Sequence, residues 1–152
     1  MLLNWRLAAA LLCVLPVLSC GGEPPVHSND SGNRLAPCPS SPNCVSSRAP
    51  DDDHKVAPFV LSTSPEIAWP VIRETVAALP RTTITAETAD YLHAQCASAL
   101  FGFVDDLEIH LRRSEGVVDI RSASRSGYYD LGVNRKRVER LRQALRARGV
   151  IQ

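Results

Sequence analysis

Leu107, Ile109 and Leu111 alternate with Glu108, His110 and Arg112, and Val118 and Ile120 alternate with Asp119 and Arg121. Ser114-Glu115-Gly116 separates the two runs. A period of two sends successive side chains to opposite faces of a strand, so each run has one apolar and one polar side. The short connection folds the second run back along the first as an antiparallel hairpin. An isolated hairpin is barely stable in water, so its apolar face must rest on other elements. In one register His110 opposes Asp119 and Glu108 opposes Arg121, which pairs complementary charges on the other face. That face is expected to meet solvent, making His110 a surface strand residue rather than a catalyst.

The surrounding sequence supplies the other elements. Val56 to Val60 is a short first strand weakened by Pro58. Ser62-Thr63-Ser64-Pro65-Glu66 combines hydroxyl caps, a proline at the first helical position and an early acid. It starts a helix over 65–79, with Ile67, Val71, Val76 and Leu79 towards the core and Pro80 as its stop. Thr82 to Glu87 and Ala89 to Ser98 read as two further strands. Val138, Leu141 and Leu145 form one face of an amphipathic C-terminal helix over 135–148, ended by Gly149. The expected fold class is α+β: a curved antiparallel sheet of three to five strands packed by two helices.

The chain begins MLLNWRLAAALLCVLPVLSC. Arg6 precedes an apolar run from Leu7 to Leu18, shorter than the ~20 residues needed to span a bilayer. It reads as the apolar part of a secretory signal over residues 1–19. Val17-Leu18-Ser19-Cys20, followed by Gly21-Gly22, resembles a bacterial lipobox, which implies cleavage before Cys20 and its lipidation with acyl chains such as palmitate. Membrane attachment through Cys20 is therefore expected. The lack of Asp at position 21 favours the outer membrane if the cell has two. Residues 21–34 hold one aliphatic side chain, Val26. Residues 20–34 are thus a lipid-anchored flexible tether of ~20 Å, and 35–152 form a single α+β domain.

Cys13 leaves with the signal. In an oxidising compartment Cys38 and Cys44, in CPSSPNC, are expected to form a disulfide. Zinc or copper held by Cys38, Cys44 and His54 is an alternative, although the spacing is not that of a zinc knuckle. Cys96, in an apolar small-residue run, reads as a buried small hydrophobe.

Charge divides along the chain. From Cys20 to Ile120 there are 7 basic and 14 acidic residues, a balance of −7; from Arg121 onward 9 basic and 2 acidic give +7. Arg135, Lys136 and Arg137 fall in the expected first turn of the last helix, after Asn134 as N-cap. Cations are unfavourable there because a helix N-terminus is itself positive. Either acids of the same chain or an external anion must offset them. Arg121, Ser122, Ser124 and Arg125 from the strand, with Asn134, Arg135 and Arg137 from the helix, form a candidate phosphate or carboxylate site. Asp105, Asp106 and Asp130 are the candidate internal salt-bridge partners. Nucleic acid is not an expected partner of an exported, neutral domain without an aromatic-rich basic strand.

Four pieces, LAPCPSSPNCVSS (35–47), DYLHA (90–94), LFGFVDDLEIHL (100–111) and RSASRSGYYDLGVNRKRVERLR (121–142), together resemble the bacterial envelope family catalogued as domain of unknown function 1499. The resemblance implies an exported or lipid-anchored domain and brings no reaction, substrate or cofactor. Ser64 to Trp69, then a sheet and a long last helix, resembles a reduced helix-grip domain of the START and Bet v 1 type. Such domains hold apolar ligands between sheet and helix. The chain has no Gly-rich phosphate loop, paired-cysteine redox motif or HExxH, and no cofactor or metal site is expected. The favoured function is a non-catalytic binding module for an anionic small molecule, a lipid headgroup or an envelope protein. The alternatives are a small hydrolase using His93 or His54 with nearby acids, for example Ser124–His93–Asp106, and a structural interaction domain with no small ligand.

Overall fold

The computed structural model describes residues 35–99 and 102–152. The expected signal (1–19) and the whole tether (20–34), with Cys20, lie outside the described residues. In chain order the elements are β1 (Cys44–Ser46), β2 (Phe59–Val60), α1 (Pro65–Ala77), β3 (Thr82–Glu87), β4 (Tyr91–Ala97), β5 (Val104–Arg112), β6 (Val117–Ser124) and α2 (Val133–Ala147). The sheet order is β1-β6-β5-β4-β3, with β2 also paired to β6, and all these strand pairs are antiparallel. Strands β3 to β6 form a meander. This is an α+β fold with a C-terminal helix.

The hairpin register is the expected one: His110 opposes Asp119 and Glu108 opposes Arg121. Its polar face, however, is not on the surface. Glu108, His110 and Asp119 are all buried, because the chain on both sides of β1 lies against them. The Ala36 amide donates to Glu108 Oε1 at 3.5 Å, and Ser47 Oγ to Asp119 Oδ1 at 2.9 Å. The Tyr91 hydroxyl and Arg121 also reach Glu108, at 3.1 and 2.5 Å. Buried charges need such partners to offset lost hydration, and pairs across the strands provide them.

The apolar face carries both helices. Leu107, Ile109 and Ile120 from the sheet pack in one core with Val138, Leu141 and Leu145 from α2. All six are fully buried, so side chains occupy the space where the helix-grip resemblance implies a ligand. Helix α1 contributes Ala68, Trp69, Ile72 and Val76. Ile67, expected in the core, is 60% exposed. At about 100° per residue, nine positions separate Ile67 from Val76 by about 180°, so both cannot face the sheet. Cys38 and Cys44 form the disulfide, with S–S 2.01 Å, which takes both sulfurs from any metal, and Cys96 is free and buried. No helix among the described residues is long and apolar enough to cross a membrane.

Candidate functional site

The start of α2 meets the end of the sheet where β5 begins and β6 finishes. Leu131 and Gly132 both take left-handed backbone conformations, φ 56° and 73°. The helix consequently begins at Val133, two residues before the expected Arg135. Asp130 caps it: its carboxylate accepts from the Gly132 amide at 2.9 Å and the Asn134 amide at 2.8 Å. Asn134 is therefore not the N-cap, and Asp130 bonds these groups rather than an arginine among the described residues.

Asn134 is completely buried and turns inward. Its Nδ2 donates to Asn43 O at 3.0 Å, Ser124 Oγ at 2.9 Å and Asp130 Oδ2 at 2.9 Å. Its Oδ1 accepts from Ser122 Oγ and Arg137 Nη1, both at 2.6 Å. Arg137 completes the network through Ser122 Oγ at 2.9 Å and Asp105 Oδ2 at 2.5 Å. Ser122, Ser124, Asn134 and Arg137 thus converge, with Asp105 and Asp130 among them. Asn43, which sequence reasoning missed, ties in the disulfide loop.

Arg121, Arg125 and Arg135 do not join them. Strand alternation places Arg121 on the opposite face from Ser122, where it pairs with Glu108. Arg125 meets Asp106, with Nη2–Oδ1 at 2.8 Å and Nε–Oδ2 at 3.0 Å. Arg135 donates to the carbonyls of Lys55 and Asp53 at 2.8 and 2.6 Å. The candidate anion group is therefore split among three environments. The wrong-way charges at the helix start are largely met from within: Asp130 caps it, Asp105 neutralises Arg137, and carbonyls receive Arg135.

Three cations remain beside this network. Arg81, Lys136 and Arg140 line a groove of about 300 Å³ with Asp105 and Val133. Among the described residues, the Arg81 and Lys136 side chains reach only carbonyls, those of Ala97 and Leu131. None of the three has a carboxylate partner among the described residues. Small Ala97, Ser98 and Ala99 leave the room. Ser98, Ala99, Asp105 and Val133 also border a second space of about 400 Å³, lined further by Phe103, Tyr129, Asp130 and Leu131. The groove is cationic and the adjoining space mainly apolar.

A family model described as Protein of unknown function (DUF1499) matches residues 34–145. The chain belongs to this family. The DUF1499 match spans Asn43, Arg81, the α2 start and Arg140, and so takes in the whole network and groove. No curated protein and no solved structure matches the chain.

Within the DUF1499 domain, His93 and His54 are the two histidines named in the hydrolase alternative. His93 Nε2 lies 2.8 Å from Asp106 Oδ1, and its Nδ1 lies 2.6 Å from Thr85 Oγ1. The hydroxyl there belongs to exposed Thr85, at the β3 bulge, and not to Ser124, which serves Asn134 on the other side of the sheet. A register shift between Ile84 and Ala86 sets Thr85 in place, and nothing in the strand pattern signals it. Burial alone would raise the Asp106 pKa, but bonds from His93 and Arg125 outweigh it and hold the carboxyl well below its ordinary range. His54 has an acceptor at each nitrogen: Asp51 Oδ1 at 2.6 Å and Ser41 O at 3.1 Å. Those two bonds raise its pKa, Asp51 contributing most. An acceptor at each nitrogen favours the imidazolium form of His54, which has no lone pair for general-base work.

Proposed function

We propose that this domain is a non-catalytic binding module for an anionic amphiphile, held at the groove beside the start of α2. The observation that carries the reading is the juxtaposition of Arg81, Lys136 and Arg140 with an adjoining, mainly apolar space beside Tyr129 and Leu131. A phosphate or carboxylate head suits the guanidinium forks and the ammonium. An acyl or other apolar tail suits the second space, whose burial supplies the non-directional part of the affinity. The module acts at the cell envelope after export, tethered through acylated Cys20. The apolar run before Cys20 and the Cys38–Cys44 disulfide, typical of oxidising compartments, support that address.

Decyl phosphate below its micelle concentration tests the groove by calorimetric titration of residues 22–152, which retain every described element. Saturable binding is expected, with at least a tenfold loss in the Arg81→Gln/Lys136→Gln/Arg140→Gln variant. Equal binding by that variant contradicts the reading.

The contacts of Thr85, His93 and Asp106 favour one second reading, a small hydrolase with Thr85 as nucleophile and His93 as base. Ester hydrolysis abolished by Thr85→Ala and by His93→Gln supports it. Hydrolysis that survives both removes it.

A further inference from the structure

Among the described residues, five of the seven exposed large apolar side chains, Phe103, Tyr128, Tyr129, Leu131 and Val133, lie at one end of the fold, in the 102–103 and 128–133 segments. Clustered apolar exposure of this kind marks an interaction surface. Leu131 shows that the exposure is not incidental. It is 73% exposed and sits at φ 56°, a conformation that glycine or asparagine adopts far more readily than a bulky residue. A leucine held there, where it contributes little to the core, points to a use for its side chain outside the fold.

The chemistry around the tip selects the partner. Tyr128 and Tyr129 each carry an apolar ring with a polar end, the side-chain type that settles at a membrane–water interface. Lys136 and Arg140 lie on α2, about one and two turns beyond Val133, without carboxylate partners among the described residues. Arg81 faces them across the groove. An apolar tip flanked on its groove side by available cations complements a bilayer surface bearing anionic headgroups.

We infer that the Tyr128–Val133 tip is a membrane-docking surface. It enters the headgroup region of an anionic bilayer and brings the mouth of the groove to the lipid. This rests on the groove reading only in sharing its cations, and it makes the bilayer, rather than free solution, the source of the amphiphile.

The test is co-sedimentation of residues 22–152, which lack the acylation site, with phosphatidylcholine vesicles with or without one-third phosphatidylglycerol. Association is expected with the anionic vesicles only. It should fall at least tenfold in Tyr129→Ser/Leu131→Ser, whose exposed positions leave the core intact, and in 0.5 M salt. Equal association with neutral vesicles, or association unchanged in that variant, overturns the inference. Decyl phosphate binding without vesicle association also overturns it while leaving the groove reading in place. Vesicle association without decyl phosphate binding supports docking and removes the groove reading. If neither probe binds, both fall, and a protein partner becomes the occupant to seek.

Discussion

Arg137 of α2 and Asp105 of β5 meet at 2.5 Å with both side chains largely buried. This ion pair locks the first turns of the last helix to the sheet. Removing one partner of a buried pair strands the other charge, at a cost of about 3–5 kcal/mol. Asp105→Ala should therefore lower the unfolding free energy by that amount in urea. A loss below ~1 kcal/mol would mean that Arg137 finds water or another acceptor.

The Asn134 amide connects Asn43, Ser122, Ser124, Asp130 and Arg137 at a site with no exposure. Asn134→Leu leaves several buried groups unsatisfied, each costing about 1–3 kcal/mol. The variant should be severely destabilised or unfolded, as judged by circular dichroism and urea titration. Near wild-type stability would show that the network contributes little.

Much of this fold could be read from the chain. The hairpin register followed from period-two alternation, and both helices fell close to their capping signals. The burial of Glu108, His110 and Asp119 could not be read that way, because a polar strand face looks the same under solvent or under a covering segment. The α2 start was misplaced for a related reason: Asn134 is as good an N-cap as any residue, and only the left-handed turn at Leu131 and Gly132 puts it inside the helix. The groove combines Arg81 with Lys136 and Arg140 across 55 and 59 positions, a pairing that no local pattern encodes.

His54 gives the loop over 51–54 a pH dependence. Its pKa is raised above the ordinary 6.5 by bonds to Asp51 and Ser41. A histidine raised on folding contributes stability that is fully present below the unfolded value and fades as pH rises through the folded one. Stability of the wild type should thus decline from pH 6 towards pH 8 more steeply than that of His54→Ala. Parallel profiles by urea titration would contradict this.

The disulfide closes a short loop next to β1. On the chain-entropy relation it should contribute about 2–2.5 kcal/mol. Cys38→Ser/Cys44→Ser should lose roughly that much while leaving the Asn134 network in place. A much larger loss would mean that the loop holds Asn43 against α2 only when cross-linked.

Leu131 separates stability from function. A left-handed conformation costs a side-chain-bearing residue roughly 1–2 kcal/mol, so Leu131→Gly should leave stability unchanged or raise it by up to ~1 kcal/mol. The same change should weaken association with anionic vesicles. A variant that loses stability instead would show that Leu131 serves the fold.

The most direct test of the groove is the calorimetric titration of residues 22–152 with decyl phosphate, alongside decyl maltoside and the Arg81→Gln/Lys136→Gln/Arg140→Gln variant. Saturable binding of the phosphate alone, weakened at least tenfold in the variant, is the predicted result. Absence of binding, or equal binding of the neutral detergent and by the variant, would contradict it.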